Sequence, residues 1–213
     1  MKPEPHHPRC RWCGPQRRIG LTGGIATGKS TVAAILSDRH GLPVLDADVY
    51  ARKLLAPGTA ACQAVLDRYG QQVQTPGGAL DRRALGRIVF ARPGERRWLE
   101  VLIHPLVKDA FTRDLAWHHQ VATVVLMAPL LFEAGLEALC SEVWLVDLDE
   151  AGQLERLLAR DHLSPQEARQ RIQAQWPLAR KRGLADVILK NHGDLVELAR
   201  QVDEALAKQA PRP

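Results

Sequence analysis

The chain of 213 residues, with 25% charged and 46% hydrophobic side chains, has the composition of a globular protein with one α/β domain. Its net charge of +5 suits an anionic substrate, whereas few aromatic residues (5%) and no long Lys/Arg block argue against nucleic-acid binding. The longest apolar stretch, 121–132, is too short to cross a bilayer, and the N-terminus has no signal-peptide core. We therefore expect a cytoplasmic protein without nucleic-acid or membrane partners.

The first segment, 1–16, is rich in proline, histidine and arginine and shows no hydrophobic periodicity, which predicts a disordered tail. It contains a Cys-x-x-Cys pair, Cys10 and Cys13, with two histidines upstream, His6 and His7. These residue types are zinc ligands. Because no second ligand pair follows at the spacing of a zinc finger, we favour a tail without metal.

A glycine-rich segment over 23–30 has the pattern G-x-x-x-x-G-K-[ST]. The apolar run 17–21 predicts a buried strand before it, and helical spacing predicts a helix near 29–39 after it. The glycines let several backbone N–H groups point at one anion, and the helix N-terminus adds its positive dipole. In such a loop Lys29 reaches the β- and γ-phosphates, and Ser30 binds the Mg²⁺ that bridges them. The context predicts a nucleotide phosphate site.

Short apolar runs then alternate with helical patterns. The further predicted strands are 43–47, 121–127, 142–147 and 185–189. The further predicted helices lie near 59–69, 93–118, 150–160, 164–181 and 194–208, and Pro177 argues for a break in the penultimate one. This alternation predicts an α/β fold, a P-loop NTPase-type parallel sheet flanked by helices. Only helical patterns occur over 56–117, so this segment is predicted to be an insert beside the carboxyl edge of the sheet.

The second predicted strand ends in Asp46-Ala47-Asp48. We expect these carboxylates to lie beside the P-loop strand and to face the γ-phosphate. One of them could accept a proton from a hydroxyl substrate or help to position Mg²⁺. Alternatively, Asp46 or Asp48 is the N-cap of the next helix, and the two roles are compatible.

The basic residues in the second half of the chain can be interpreted in two ways. Arg156 and Arg160 lie four residues apart on one helix face, and they belong either to a mobile segment over the phosphates or to a solvated basic face. The cluster 180–182 is interpreted mainly as a basic helix end. In the insert, Pro105 is expected to break or kink its helix. From spacing alone, the adjacent His104 is expected to pack or cap.

Together these segments resemble dephospho-CoA kinases. The matching segments are 19–32, 46–48 with Arg52, 82–85 with 88–90, 102–106, 129–133, Gln153 with Arg156, Arg160 and Asp161, and 185–188 with Asn191 and Gly193. The resemblance covers about 18–207. It implies a transferase that moves a phosphoryl group from ATP to the 3′-hydroxyl of the ribose of dephospho-CoA, the last step of coenzyme A biosynthesis.

The resemblance also implies a three-part organisation. The P-loop core covers 17–55 and 118–208, with a lid at about 160–182, and the insert over 56–117 lies on the CoA side. ATP is the implied phosphoryl donor, with Mg²⁺ as cofactor and dephospho-CoA as the other small-molecule substrate. We further expect a monomer.

Roles for individual residues follow from the resemblance by position. Asp48 is implied as the catalytic base, acting with Lys29 and with Arg160, the lid arginine. Asn191 lies in the loop expected near the adenine of ATP. The implied ATP phosphate site consists of Gly23, Gly24, Ile25, Ala26, Thr27, Gly28, Lys29, Ser30 and Thr31. The implied acceptor-side contacts are Arg52, Arg83 and His104.

Two alternatives remain open from the sequence. A P-loop kinase of another small metabolite or of a nucleoside monophosphate has the same core. A P-loop regulator or a nucleic-acid-binding module would share the loop without kinase chemistry. The helical insert with its His104-Pro105 pair favours the dephospho-CoA reading over the first alternative. The carboxylate pair and the lid arginine favour kinase chemistry over the second.

Overall fold

The computed structural model describes residues 11–161 and 163–208. His6, His7 and Cys10 of the zinc alternative therefore lie outside the described residues. Within the described ranges, no helix combines the length and apolar character needed to span a membrane.

A parallel sheet of five strands forms the centre of the described chain. The strands are β1 Arg17–Gly23, β2 Val44–Asp46, β3 Thr123–Met127, β4 Glu142–Asp147 and β5 Val187–Lys190. Their order is β2-β3-β1-β4-β5, so the strand before the P-loop is central. Ile19 of β1 pairs with Val125 of β3 on one side and with Glu142 of β4 on the other. The predicted parallel α/β fold is confirmed.

Helices connect the strands. They are α1 Lys29–Ala34, which continues as a π-helical turn over Ile35–Arg39, α2 Ala47–Leu54, α3 Ala60–Tyr69, α4 Arg82–Ala91, α5 Pro93–Trp117, α6 Glu150–Asp161, α7 Pro165–Gln173, α8 Leu178–Arg182 and α9 Leu195–Ala207, with 3₁₀ turns at Gly70–Val73 and Leu136–Leu139. The segment 164–181 is divided as Pro177 indicates, because this residue is the N-cap of α8.

Helices pack on both faces of the sheet. On one face Leu126 packs in a cluster with Phe111 of α5. The adjacent Val125 points to the other face, where it packs in a cluster with Val32 of α1 and Leu198 of α9. Because successive strand residues face opposite sides, buried residues at both positions mean that β3 is covered on both faces.

The position of β2 differs from the prediction. We expected Asp46 and Asp48 on a strand next to β1, but β3 lies between β1 and β2. The helices α3 to α5 give the chain enough length between β2 and β3 to insert β3 next to β1, so order along the chain does not fix order in the sheet. Asp48, in the first turn of α2, nevertheless lines the same pocket as the loop after β1.

The helix that contains His104 is continuous. Of the break or kink expected at Pro105, the break is absent, since α5 runs from Pro93 to Trp117 through it. Pro105 has no N–H to donate to the carbonyl of Val101, so the helix loses one hydrogen bond there without ending.

Residues 11–16 are held by hydrogen bonds to the segments before β3 and β4, so the expectation of a disordered tail is wrong for this part of 1–16. The N–H of Trp12 donates to the carbonyl of Cys140 at 3.1 Å. Nε2 of the buried Gln16 donates to the carbonyls of His118 and Val121 at 2.7 and 2.9 Å. A polar segment without periodicity is held here by hydrogen bonds to backbone, which hydrophobic patterning cannot predict.

Candidate active site

The loop after β1 has the backbone geometry of an anion cradle. Gly28 has φ +97°, a conformation that favours glycine, and a Cβ on it would lie 2.2 Å from Nδ2 of Asn191. A Cβ on Gly24 would likewise lie 2.3 Å from Oε1 of Gln153. Ala26 also has a positive φ, 59°. The tight curl of the loop therefore depends on residues without side-chain bulk, as an approach of backbone N–H groups to phosphate requires.

Lys29 begins α1 and turns back over the loop. Its Nζ donates to the carbonyl of Gly24 at 2.6 Å and to that of Gly23 at 3.3 Å. Burial of the ammonium and the nearby Lys181 cation lower the pKa of Lys29 to about 8, while the carboxylates of Asp48 and Glu133 partly offset this. The protein therefore neutralises the charge of the Lys29 ammonium only in part, and this favours the binding of an anion next to it.

In the Asp46-Ala47-Asp48 segment, the structure assigns the roles of helix N-cap and of available carboxylate to different residues. Asp46 is the N-cap of α2, and its Oδ1 accepts from the N–H of Asp48 at 2.8 Å. Burial and the neighbouring Asp46 raise the pKa of Asp48, against the opposing effects of Lys29, Arg52 and Arg160. Asp46 therefore shapes the helix start, and the Asp48 carboxylate is left free for a ligand.

One pocket of about 670 Å³ brings most of the predicted site residues together. The predicted residues in its lining are Ile25, Ala26, Gly28, Lys29, Ser30, Thr31, Asp48, His104 and Arg160. The insert closes its far side with Val89 and Phe90 of α4 and several residues of α5. On α5, Arg96, Glu100 and His104 follow one another at one-turn spacing along the pocket. The pocket thus joins a phosphate cradle to a mixed polar and apolar wall.

Some predicted site residues lie outside that lining. Arg52 is exposed on α2, close enough to Asp48 to lower its pKa. Arg83 is exposed in the first turn of α4. Asn191 lies behind the loop, where its Nδ2 donates to the carbonyl of Thr27 at 2.7 Å. The described structure does not bring Arg52, Arg83 or Asn191 into the lining of the pocket.

Arg160, exposed in the last turn of α6, lies at the rim of the pocket. Its guanidinium donates to both carboxylate oxygens of Asp161, at 2.7 and 3.1 Å, and Arg171 of α7 binds the same carboxylate at 3.1 Å. Arg156, one turn earlier, also lines the pocket, and its guanidinium donates to the carbonyl of Asn191 at 3.0 Å. The reading of Arg156 and Arg160 as a purely solvated basic face is therefore wrong.

The residues at the loop fit a nucleotide phosphate with Mg²⁺. Ser30, at the start of α1, and Asp48, in the first turn of α2, both line the pocket. Hydroxyl and carboxylate oxygens are ligands that Mg²⁺ prefers, usually together with phosphate oxygens and waters. Within 11–161 and 163–208, no group of three or more His, Cys, Asp or Glu residues could hold a metal by itself. A metal here would need the oxygens of a bound nucleotide.

Comparison with known proteins identifies the family. The family model described as dephospho-CoA kinase matches residues 17–197. A relative from Synechococcus sp. (strain CC9605) named dephospho-CoA kinase is 62% identical over 179 residues, which cover 84% of this chain and 86% of the relative. The chain belongs to the dephospho-CoA kinase family.

Solved structures support the fold. A crystal structure of a protein from Thermus thermophilus is similar with a TM-score of 0.74 at 36% identity, covering 91% of this chain and 98% of the other. A dephospho-CoA kinase from Campylobacter jejuni has a TM-score of 0.59 at 22% identity over 91% of this chain and 97% of the other, which supports the fold alone.

This member of the dephospho-CoA kinase family contains a buried ion pair that the sequence reading missed. Lys181 was interpreted as part of a basic helix end, but its side chain is fully buried. Its Nζ lies 2.9 Å from Oε1 of Glu133 and donates to the carbonyl of Pro129 at 2.8 Å. Arg182, next to it, binds the carboxylate of Asp147. No local pattern links positions so far apart in sequence, so a single chain gives no signal for these pairs.

We expect Lys181→Met to lower the free energy of unfolding by about 3–5 kcal/mol, because it leaves the Glu133 carboxylate buried without its cation. Oε2 of Glu133 is already buried without a partner among the described residues. Chemical denaturation measures the change, with the exposed Lys108→Met as matched control. The double variant with Glu133→Gln should recover part of the loss. Equal stability of Lys181→Met and Lys108→Met would contradict this account.

We also expect the affinity for ATP to fall as the pH rises above about 8. Phosphate binds the ammonium form of Lys29, and the pKa of this group is lowered to about 8, so the free protein must take up a proton to bind at higher pH. The Kd for ATP, measured at constant ionic strength, should rise by about tenfold per pH unit above that pKa. In a Lys29→Met variant the slope should disappear, and a Kd independent of pH in the unmodified protein would contradict the assignment.

Proposed function

We propose that this chain transfers the γ-phosphoryl group of ATP to the 3′-hydroxyl of the ribose of dephospho-CoA, giving coenzyme A and ADP. The observation that carries this proposal is the convergence of Lys29, Ser30 and Asp48 on one pocket, whose far wall is formed by the insert. Membership of the dephospho-CoA kinase family supports the identity of the acceptor.

The phosphate end of the pocket would hold the donor. The N–H groups of the loop and the ammonium of Lys29 would bind the β- and γ-phosphates. When bound, Mg²⁺ would neutralise charge between these two phosphates, held by the Ser30 hydroxyl. Asn191 fixes the loop through Thr27, and we propose that its segment, directly after β5, lies beside the adenine of ATP.

Asp48 would be the catalytic base. Its carboxylate takes the proton of the 3′-hydroxyl as the 3′-oxygen bonds to the γ-phosphorus, and the bond from that phosphorus to the β-bridging oxygen breaks to release ADP. The raised pKa of Asp48 makes it a better proton acceptor than an ordinary aspartate. Arg160, at the pocket rim, would approach the transferring group when the lid over about 160–182 closes.

The insert side would hold the acceptor. His104 lines the pocket, and burial lowers its pKa, which favours a neutral ring that can hydrogen-bond to a sugar or a base. Arg52 of α2 and Arg83 of α4 are exposed cations, and we propose that they contact the anionic part of the acceptor beyond the pocket. This assignment divides the chain into a core (17–55 and 118–208) and an acceptor-side insert (56–117). We also propose that the chain works as a monomer.

A coupled assay of ADP release tests this function. The purified protein with MgATP is offered dephospho-CoA, AMP, dTMP, shikimate or no acceptor in parallel. We expect rapid ADP release with dephospho-CoA and with none of the other acceptors. Omission of Mg²⁺ should abolish this release. Release with AMP, dTMP or shikimate but not with dephospho-CoA would replace this proposal with a kinase of another small metabolite. Equal release with and without acceptors would indicate an ATPase.

A further inference from the structure

The segment between α7 and α8 reaches back to the phosphate loop. Oε1 of Gln175 accepts a hydrogen bond from the N–H of Ile25 at 2.9 Å. Gln175 and the preceding Ala174 also line the pocket that contains Lys29 and Asp48. The contact joins residues 150 positions apart, so it depends on the tertiary fold. It attaches the end of the proposed lid to the site of the donor phosphates.

The partner of Gln175 fixes how its amide is oriented. A backbone N–H can only donate, so the amide oxygen must face Ile25 and the NH₂ group must point away from that N–H. No described residue accepts a hydrogen bond from Nε2 of Gln175. Two donor hydrogens are therefore available on a side chain that lines the pocket.

The segment that carries Gln175 is anchored to the end of the sheet. The N–H of Trp176 donates to Oε1 of Glu133 at 3.0 Å, and Lys181 holds the same carboxylate at 2.9 Å. The N–H of Gln175 itself donates to the carbonyl of Ile172 at 3.2 Å. Because the backbone N–H groups of Gln175 and Trp176 are both held, the amide of Gln175 needs little further ordering to meet a ligand.

We propose that Gln175 is a further catalytic residue, whose Nε2 donates a hydrogen bond to the terminal phosphate of ATP while its Oε1 holds the loop at Ile25. This inference rests on the proposed kinase function. In phosphoryl transfer the charge is spread over the equatorial oxygens of the moving group, and a fixed donor stabilises it. The neutral amide adds this donor without a further cation next to Lys29 and Arg160.

Two substitutions distinguish the role of the Nε2 donor of Gln175 from that of its Oε1 contact with Ile25. Gln175→Glu keeps an oxygen that accepts from Ile25 and removes the NH₂ donor, whereas Gln175→Met removes both at similar length. Gln173, an exposed glutamine at the end of α7, gives the matched controls Gln173→Glu and Gln173→Met. The readouts are kcat with dephospho-CoA and, without acceptor, the Kd values of ADP and of a non-hydrolysable ATP analogue.

We expect both Gln175 variants to lower kcat by about ten- to hundredfold, the loss expected for one hydrogen bond to a charged group. The Kd of the ATP analogue should rise more than that of ADP, and the Gln173 variants should stay within about twofold of the unmodified protein. Recovery of kcat in Gln175→Glu relative to Gln175→Met would show that only the loop contact matters and would overturn the proposal. So would equal weakening of ADP and the ATP analogue, or an unchanged kcat in Gln175→Met.

The design distinguishes this proposal from the function on which it rests. Turnover of dephospho-CoA by the unmodified protein tests the function before any variant is considered. The Kd values of ADP and of the ATP analogue are measured without acceptor. They therefore test the contact of Gln175 with the terminal phosphate independently of which acceptor the enzyme uses.

Discussion

Replacing Asp48 by asparagine is expected to lower kcat by about 10²–10⁴-fold and to change the Kd for ATP little. Asparagine has nearly the same shape, but its amide cannot take the proton of the acceptor hydroxyl. The cap of α2 is unaffected, because Asp46 supplies it. ATP binding depends on the loop and on Lys29, which the substitution leaves in place.

The assay for Asp48→Asn should be run near neutral pH. The Asp48 carboxylate raises the pKa of Lys29. Its removal therefore lowers that pKa, and Lys29 loses its proton at a lower pH than in the unmodified protein. Well below pH 8 the ammonium persists, and the loss of turnover then reports the missing base. Asp109→Asn, at an exposed position of α5, is the matched control. Turnover by Asp48→Asn at the unmodified rate would remove this residue from the mechanism.

Lys29→Met is expected to lower kcat/KM by at least about 10²–10³-fold, with losses in both ATP affinity and kcat. The Lys29 ammonium lies directly at the loop, with Nζ 2.6 Å from the carbonyl of Gly24. Its charge would act on the β- and γ-phosphates in the ground state and more strongly as the transferring group moves. Lys29→Arg should fail similarly, because a planar guanidinium does not fit the space of an ammonium inside the curled loop.

The control for Lys29→Met is Lys53→Met, which removes an exposed lysine from α2. Since Lys29 also donates to Gly23 and Gly24, both variants are compared by thermal unfolding to detect a rearranged loop. Near-normal kcat/KM in a folded Lys29→Met protein would contradict the assigned phosphate contact.

Local patterns predicted the parts of the molecule that depend on local physics. The glycines at 23, 24 and 28 indicate a curled loop because a Cβ at 24 or 28 would collide with Gln153 or Asn191. Short apolar runs predicted the strands because both faces of this sheet are covered. Pro177 marked the break between α7 and α8, where it is the N-cap of α8, because proline disfavours helical backbone in the residue before it.

The arrangement of segments that are far apart in the chain could not be predicted from the sequence. The insertion of β3 between β1 and β2 depends on how the α3 to α5 connection packs, and no residue of the strands encodes it. Lys181 resembles any lysine at a helix end until the fold brings Glu133 beside it. Gln175 has no motif of its own, and its contact with Ile25 exists only because the segment after α7 returns to the loop.

The position of the new phosphate on the acceptor tests the central claim most directly. The purified protein is incubated with MgATP and dephospho-CoA, and the product is examined by ³¹P NMR and compared with coenzyme A. The account predicts a single new phosphomonoester on the 3′-oxygen of the ribose, formed together with one ADP. A phosphate on any other atom, or ADP release with dephospho-CoA recovered unchanged, would contradict the account.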